Sequence, residues 1–205
     1  MNVLVDAPPV PQTDITVVLT HGAGAGMDTD FMTAMARGLC DNGIKVVRFE
    51  FPYMAQRRVD GKRRPPDRMP VLEAAFVEQL QQYAPRCVAA GKSMGGRVAS
   101  MMLAQQHCLG AMSLGYPFHP PGKPEKIRND HWGQVERPWL IVQGSRDPFG
   151  TLDEVAQYAL PVSARVEWLD DGDHDFKPRK ASGFTQALHW QRAVDVMTHW
   201  IKELN

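Results

Sequence analysis

Apolar residues in this chain come in short runs separated by stretches with a helical repeat. Residues 15–20, ITVVLT, are β-branched and apolar almost without a break, which predicts a strand buried on both faces. Similar runs at 44–49, 87–90, 109–114, 139–142 and 165–169 bring the expected strands to six. Between them, Met32, Met35, Ala36 and Leu39 share one face of a helix over about 28–41 that Gly43 closes. Leu72, Phe76 and Leu80 mark a second helix, Val98, Met101, Met102 and Leu103 a third after Ser93, and residues 152–160 a short fourth. Trp190, Val194, Met197, Ile201 and Leu204 recur at i, i+4, i+7, i+11 and i+14, an amphipathic stripe that faces a sheet. The stretch 51–69, rich in proline and arginine, and the proline-rich 116–137 read as loops.

Parallel strands need crossover connections, so this alternation predicts an α/β fold: a doubly wound, mostly parallel sheet of six to seven strands with helices on both faces. Residues 2–5, in an otherwise extended segment 1–13, are the one candidate for an antiparallel strand. With no internal repeat, low-complexity stretch or linker, 1–205 reads as a single domain. Alternation alone does not choose among flavodoxin-like, Rossmann and hydrolase folds; the loops decide that.

Composition narrows the classes of function. Hydrophobic residues at 43% and charged residues at 22% exclude a disordered, collagen-like or disulfide-stapled chain. Lys+Arg and Asp+Glu both number 23, without the basic excess that nucleic acid or acidic lipid would call for. Cys40, Cys87 and Cys108 are scattered and form no C-x-x-C, which predicts free, buried thiols in a reducing compartment rather than a zinc site. The N-terminus lacks the basic start and apolar stretch of a signal peptide, and no apolar run nears the roughly 20 residues that span a bilayer. The expectation is a cytoplasmic protein with neither nucleic-acid nor membrane partners.

Candidate chemistry sits where strands end. GKSMGGR at 91–97 places G-x-S-x-G between a strand and a helix, the turn that raises a serine hydroxyl above a sheet at a helix N-terminus. A Walker A loop would need glycine where Arg86 stands. HGAGAG at 21–26 follows the first long strand, and its glycines let backbone approach a substrate. Ala23, with Gly24 in reserve, and Met94 are therefore the candidate oxyanion donors, and His21 is expected to hold the loop by hydrogen bonds. A dinucleotide fingerprint is a weak match here, since position 27 is methionine where the third glycine belongs. Asp147 lies just beyond the fifth strand and His174 just beyond the sixth, which satisfies the chain order Ser, Asp, His. Asp171, Asp173 and Asp175 crowd His174 and are alternative orienting partners for it, with Asp147 favoured; Phe176 stands where a calcium loop needs glycine, so no metal is expected.

The motifs THGAGAGM at 20–27, FPYM at 51–54, GKSMGGR at 91–97, GYPFHPPGKP at 115–124 and GSRDPFG at 144–150 together resemble the α/β-hydrolase superfamily, over about residues 14–203. They are most similar to a small lidless branch related to dienelactone hydrolases, which includes mostly uncharacterised bacterial proteins, a mammalian testis-expressed protein and a histone-acetyltransferase-complex subunit. The resemblance implies a minimal hydrolase fold without a lid domain and a triad at Ser93, Asp147 and His174. It leaves the substrate open. Arg57, Arg58, Lys62, Arg63, Arg64 and Arg68 make the expected 57–68 loop basic; it reads first as a solvated loop, with the alternative that it overhangs the crevice as a clamp for an anionic group. Tyr53, Arg57, Phe118, His119 and Phe149, with Gly24, are candidate substrate-binding residues, while Lys92 and Arg97 are expected to point away. The resulting expectation is a serine hydrolase of small esters or thioesters that needs no cofactor and takes a small acyl substrate. A non-catalytic binding or scaffold protein, or an acyltransferase, is the alternative.

Overall fold

A computed structural model describes residues 2–105 and 107–204. Seven strands form one sheet: β1 (Val3–Asp6), β2 (Thr16–Thr20), β3 (Lys45–Phe49), β4 (Cys87–Lys92), β5 (Gly110–Leu114), β6 (Trp139–Gly144) and β7 (Ala164–Leu169). Their order is β1-β3-β2-β4-β5-β6-β7, parallel throughout except where β1 pairs antiparallel with β3, Val3 opposite Phe49. The strand within residues 1–13 is thus an edge, and its side chains are largely exposed.

The central strands show why their runs are apolar without alternation. Along β2, Val17 and Leu19 enter one core and Val18 the other, so no face is solvated. Helices α1 (Asp30–Asp41) and α6 (Gln186–Glu203) cover the first face, packing Met32, Met35, Leu39, Val194, Met197 and Ile201 onto it. The second face is covered by α2 (Pro52–Asp60), α3 (Met69–Gln81) and α4 (Met94–Ala104), through residues such as Tyr53, Phe76 and Met102. Thr29 and Thr185 cap α1 and α6 by accepting the N–H groups of Met32 and Leu188.

Two elements differ from the pattern-based expectation. Residues 52–60, expected as loop, are the helix α2. Pro52 stands in its first turn, where a missing N–H costs nothing, and Gly61 closes it in the left-handed region at φ 69°. The expected helix over 152–160 shrinks to α5 (Leu152–Val155): a Thr151–Glu154 capping box starts it, but turns at Tyr158 and Leu160 end it before Pro161. The three cysteines are free, Cys87 and Cys108 buried but Cys40 only half-buried. Among the described residues no helix is long and apolar enough to cross a membrane.

The 116–137 segment packs Tyr116, Phe118, Trp132 and Val135 into the second core. His131 latches it to α4, its Nε2 2.8 Å from Ser100 Oγ, while that hydroxyl donates to the Arg97 carbonyl at 2.8 Å. Ser100 therefore accepts from Nε2–H, and Nδ1 is left buried without a partner among the described residues. A second proton there would be a desolvated charge facing Arg97, and burial first, then Arg97, pushes the His131 pKa down to about 4. The native state then binds fewer protons than the unfolded one between about pH 6.5 and 4, so this group's stability contribution is lost as pH falls through that window. Urea unfolding should show wild type losing on the order of 2 kcal/mol from this group between pH 7 and 5, a loss absent in His131→Gln.

Candidate active site

The loops after β2 and β4 meet at the carboxyl edge of the sheet because β2 lies between β3 and β4. The chain leaves β2 toward one side through α1 and later returns to its other side as β4, so the loops after β2 and β4 open onto the same crevice. The turn from β4 to α4 carries Ser93 at φ 52° and ψ −116°, a conformation an L-residue adopts only under constraint. Ser93 N–H donates to the Leu114 carbonyl at 2.9 Å, and its own carbonyl accepts from Arg97 N–H at 3.0 Å. Close packing makes the flanking glycines obligatory: a Cβ on Gly91 would lie 2.2 Å from the Gly95 backbone, and one on Gly95 2.6 Å from the His21 carbonyl oxygen. Met94 begins α4, so its N–H is one of the free donors at a helix start.

Asp147 and His174 come from the ends of β6 and β7. Asp147 is fully buried; its Oδ1 accepts from Phe149 N–H at 2.9 Å and its Oδ2 from Gln143 Nε2 at 3.0 Å. The same Oδ2 lies 2.7 Å from His174 Nδ1, and His174 Nε2 lies 2.9 Å from Ser93 Oγ. A carboxylate at Nδ1 keeps the ring proton there and leaves the Nε2 lone pair facing the serine hydroxyl. The other nearby aspartates are engaged elsewhere. Asp171, held down to about 2, pairs with Arg179 and Arg146; Asp173 accepts the N–H groups of Asp175 and Lys177.

Ser93 and His174 open onto a cavity of about 590 Å³ bounded by Gly22–Gly26, Phe31, Met32, Phe149 and Trp190. Ala23 and Gly24 thus stand beside the serine, and Phe149 packs its ring 4.5 Å from the His174 imidazole. Tyr53, Arg57, Phe118 and His119 are outside this lining. Tyr53 is buried under the glycine loop, with Arg57 beside it on α2, and Phe118 is fully buried in the second core. His119 is buried 3.3 Å from Glu154. A motif places such residues near a strand end but does not say on which side of the backbone they fall. His21 is buried, its Nδ1 2.7 Å from the Gly22 carbonyl and its Nε2 accepting from Phe51 N–H at 3.1 Å, so it does hold the loop. Within the basic stretch, Arg58 pairs with Glu50 and Asp28 outside it, and Arg64 pairs with Asp60.

Lys92 does not point away. Its ammonium reaches into the cavity wall, donating to the His174 carbonyl at 2.7 Å, lying 3.3 Å from Asp175 and 5.5 Å from the Phe31 ring centre. Burial lowers its pKa, while Asp175 and Asp147 hold the charge in place. Nothing in the local motif signals this, because a strand residue next to the turn can face either core.

A mostly parallel seven-stranded sheet with a strained serine at its central β–α turn is the α/β-hydrolase fold. The chain belongs to the alpha/beta hydrolase domain family, whose model matches residues 13–202. It is similar to a lidless α/β serine hydrolase from Xanthomonas campestris, with 23% identity over 98% of this chain and 86% of that one and a TM-score of 0.65. It also resembles the esterase domain of a Rhodothermus marinus protein (17% identity, 98% and 92% covered, TM-score 0.69) and a dienelactone hydrolase from Anabaena variabilis (19%, 93% and 88%, 0.69). At these identities the likeness is one of fold.

The glycine contacts give a paired prediction. Gly91→Ala should cost at least about 3 kcal/mol or prevent folding, because backbone rather than a flexible side chain occupies the space. Gly24→Ala, with nothing within 4 Å of the added carbon, should change thermal stability by less than about 1 kcal/mol. Melting curves of the two variants decide it.

Proposed function

We propose that this protein is a serine hydrolase that cleaves small esters or thioesters through Ser93, His174 and Asp147 and a covalent acyl-enzyme. The observation that carries the reading is the unbroken line from buried Asp147 through both ring nitrogens of His174, 2.7 and 2.9 Å, to a hydroxyl that opens onto a cavity. Ser93 Oγ attacks the substrate carbonyl carbon as its proton passes to His174 Nε2, and Asp147 stabilises the resulting imidazolium. The N–H groups of Ala23 and Met94 receive the oxyanion. Collapse of the tetrahedral adduct returns the proton to the departing alcohol or thiol, and water, activated in turn by His174, releases the acid. No step draws on a metal or cofactor.

Phe31, Met32, Phe149 and Trp190 give the cavity apolar walls suited to a small acyl or aryl group. Lys92 ties the His174 segment to β4 and so fixes the imidazole over the serine. The test pairs a fluorophosphonate probe with short-chain p-nitrophenyl esters and thioesters. Ser93→Ala and His174→Ala should each lower kcat by about 10⁴-fold or more, with the double variant little worse than the poorer single one. Lys92→Met, which keeps the stem and removes the ammonium, should stay folded and lose about tenfold in kcat. A folded wild type that neither labels nor turns over would move the chain to the binding or scaffold class. Turnover only with an added alcohol or amine acceptor would make it an acyltransferase.

A further inference from the structure

One face of α2 meets the glycine loop with Tyr53 and Arg57, neither of which lines the cavity at Ser93. Tyr53 Oη donates to the Ala23 carbonyl at 2.9 Å and stands 3.4 Å from that of Gly22. Arg57, four residues on and therefore on the same helical face, donates Nη1 to the Gly24 carbonyl at 3.1 Å. His21 Nδ1 holds the Gly22 carbonyl at 2.7 Å. Three consecutive carbonyls, at 22, 23 and 24, are thus fastened to donors outside the cavity.

The peptides here are trans, since among the described residues only Ala84–Pro85 is cis. In a trans peptide the C=O and the following N–H point in opposite directions. With the Ala23 and Gly24 carbonyls held by α2 and that of Gly22 by His21 and Tyr53, the N–H groups of Ala23, Gly24 and Ala25 face away from those donors, in a segment that lines the cavity with Ser93. A GAGAG segment does not hold this arrangement on its own, because glycine rotates into alternative φ values at little cost.

We infer that Tyr53 and Arg57 are positioning residues that clamp the carbonyl side of the loop, Tyr53 aiming the N–H groups of Ala23 and Gly24 at the substrate oxyanion and Arg57 fixing the next peptide, whose N–H is that of Ala25. The inference rests on the hydrolase reading above. Tyr53 suits this role, being 4% exposed, with its hydroxyl occupied and its phenol pushed above the ordinary tyrosine pKa by burial, so it stays a neutral donor. The far end of the loop is held separately. Buried Glu50 accepts the Met27 N–H at 3.1 Å and pairs with Arg58 at 2.6 Å, while Arg58 also reaches Asp28 at 2.6 Å. Removing one clamp should therefore tilt individual peptides rather than release the whole loop.

Tyr53→Phe keeps the packed ring and removes only the donor. Its kcat on a p-nitrophenyl ester should fall about tenfold with KM within about twofold, because the clamped N–H groups act on the transition state. Affinity for a trifluoromethyl ketone, which becomes an oxyanion on Ser93, should weaken by the same factor, while a non-covalent inhibitor of similar shape binds as to wild type. Arg57→Lys, which keeps a donor, should retain more activity than Arg57→Ala; that pair carries the test if Tyr53→Phe fails to fold. Wild-type kcat and ketone affinity in Tyr53→Phe overturn the proposal, as does equal loss of ketone and non-covalent inhibitor binding, which marks general disruption. An inactive wild type that fails to label with fluorophosphonate is a different result: it removes the hydrolase reading, and the proposal with it.

Discussion

The backbone of Ser93 is the constraint on which the site depends. At φ 52° and ψ −116° the residue costs about 1–3 kcal/mol, and it persists because β4, β5 and α4 close around it. That closeness explains the composition of the turn. A Cβ added at Gly91, Gly95 or Gly96 would lie 2.2, 2.6 or 2.8 Å from backbone atoms of Gly95, His21 or Gly91, so only glycines let α4 start directly over the end of β4. The strain and the packing are one arrangement: a larger residue at any of these positions would push the helix away and let the serine relax into the sheet.

A raised hydroxyl becomes chemistry only when other loops reach it, and the sheet order sees to that. Gly144 and Leu169 pair at the ends of β6 and β7, and a Cβ on Gly144 would lie 2.4 Å from the Gly172 carbonyl. The two following loops are therefore pressed together, which brings His174 against Asp147. Lys92 then ties the His174 segment back to β4. On the opposite side, β2 delivers the glycine loop and α2 braces it. The cavity is bounded by parts from both halves of the sheet, each fixed by contacts outside the cavity.

The buried charges follow the same logic. Asp147 and Glu50 are both almost inaccessible, and each has its oxygens met by backbone N–H or side-chain donors. Carboxyl groups so met by donors orient an imidazole in one case and a loop in the other.

Much of this was legible in the chain. Runs such as ITVVLT announce parallel strands because both faces of a parallel sheet are covered, and G-x-S-x-G between strand and helix announces the elbow because few other sequences can make that turn. The order of Ser93, Asp147 and His174 follows from where strands end. Local sequence misled where composition outweighed position: Pro52 and a cluster of arginines read as loop, although proline in the first turn and glycine after the last are how α2 begins and ends. It was silent on direction. That Lys92 faces the cavity while Phe118 and His119 turn into buried packing, and that Tyr53 reaches loop carbonyls rather than the cavity, depends on which side of a strand or helix each falls. The sequence by itself determined the strands, the elbow and the candidate reacting groups, because these arise from period and local steric demand. Only the tertiary structure decided the 2.7 and 2.9 Å contacts and the supports behind them, because they join residues as far as 82 positions apart.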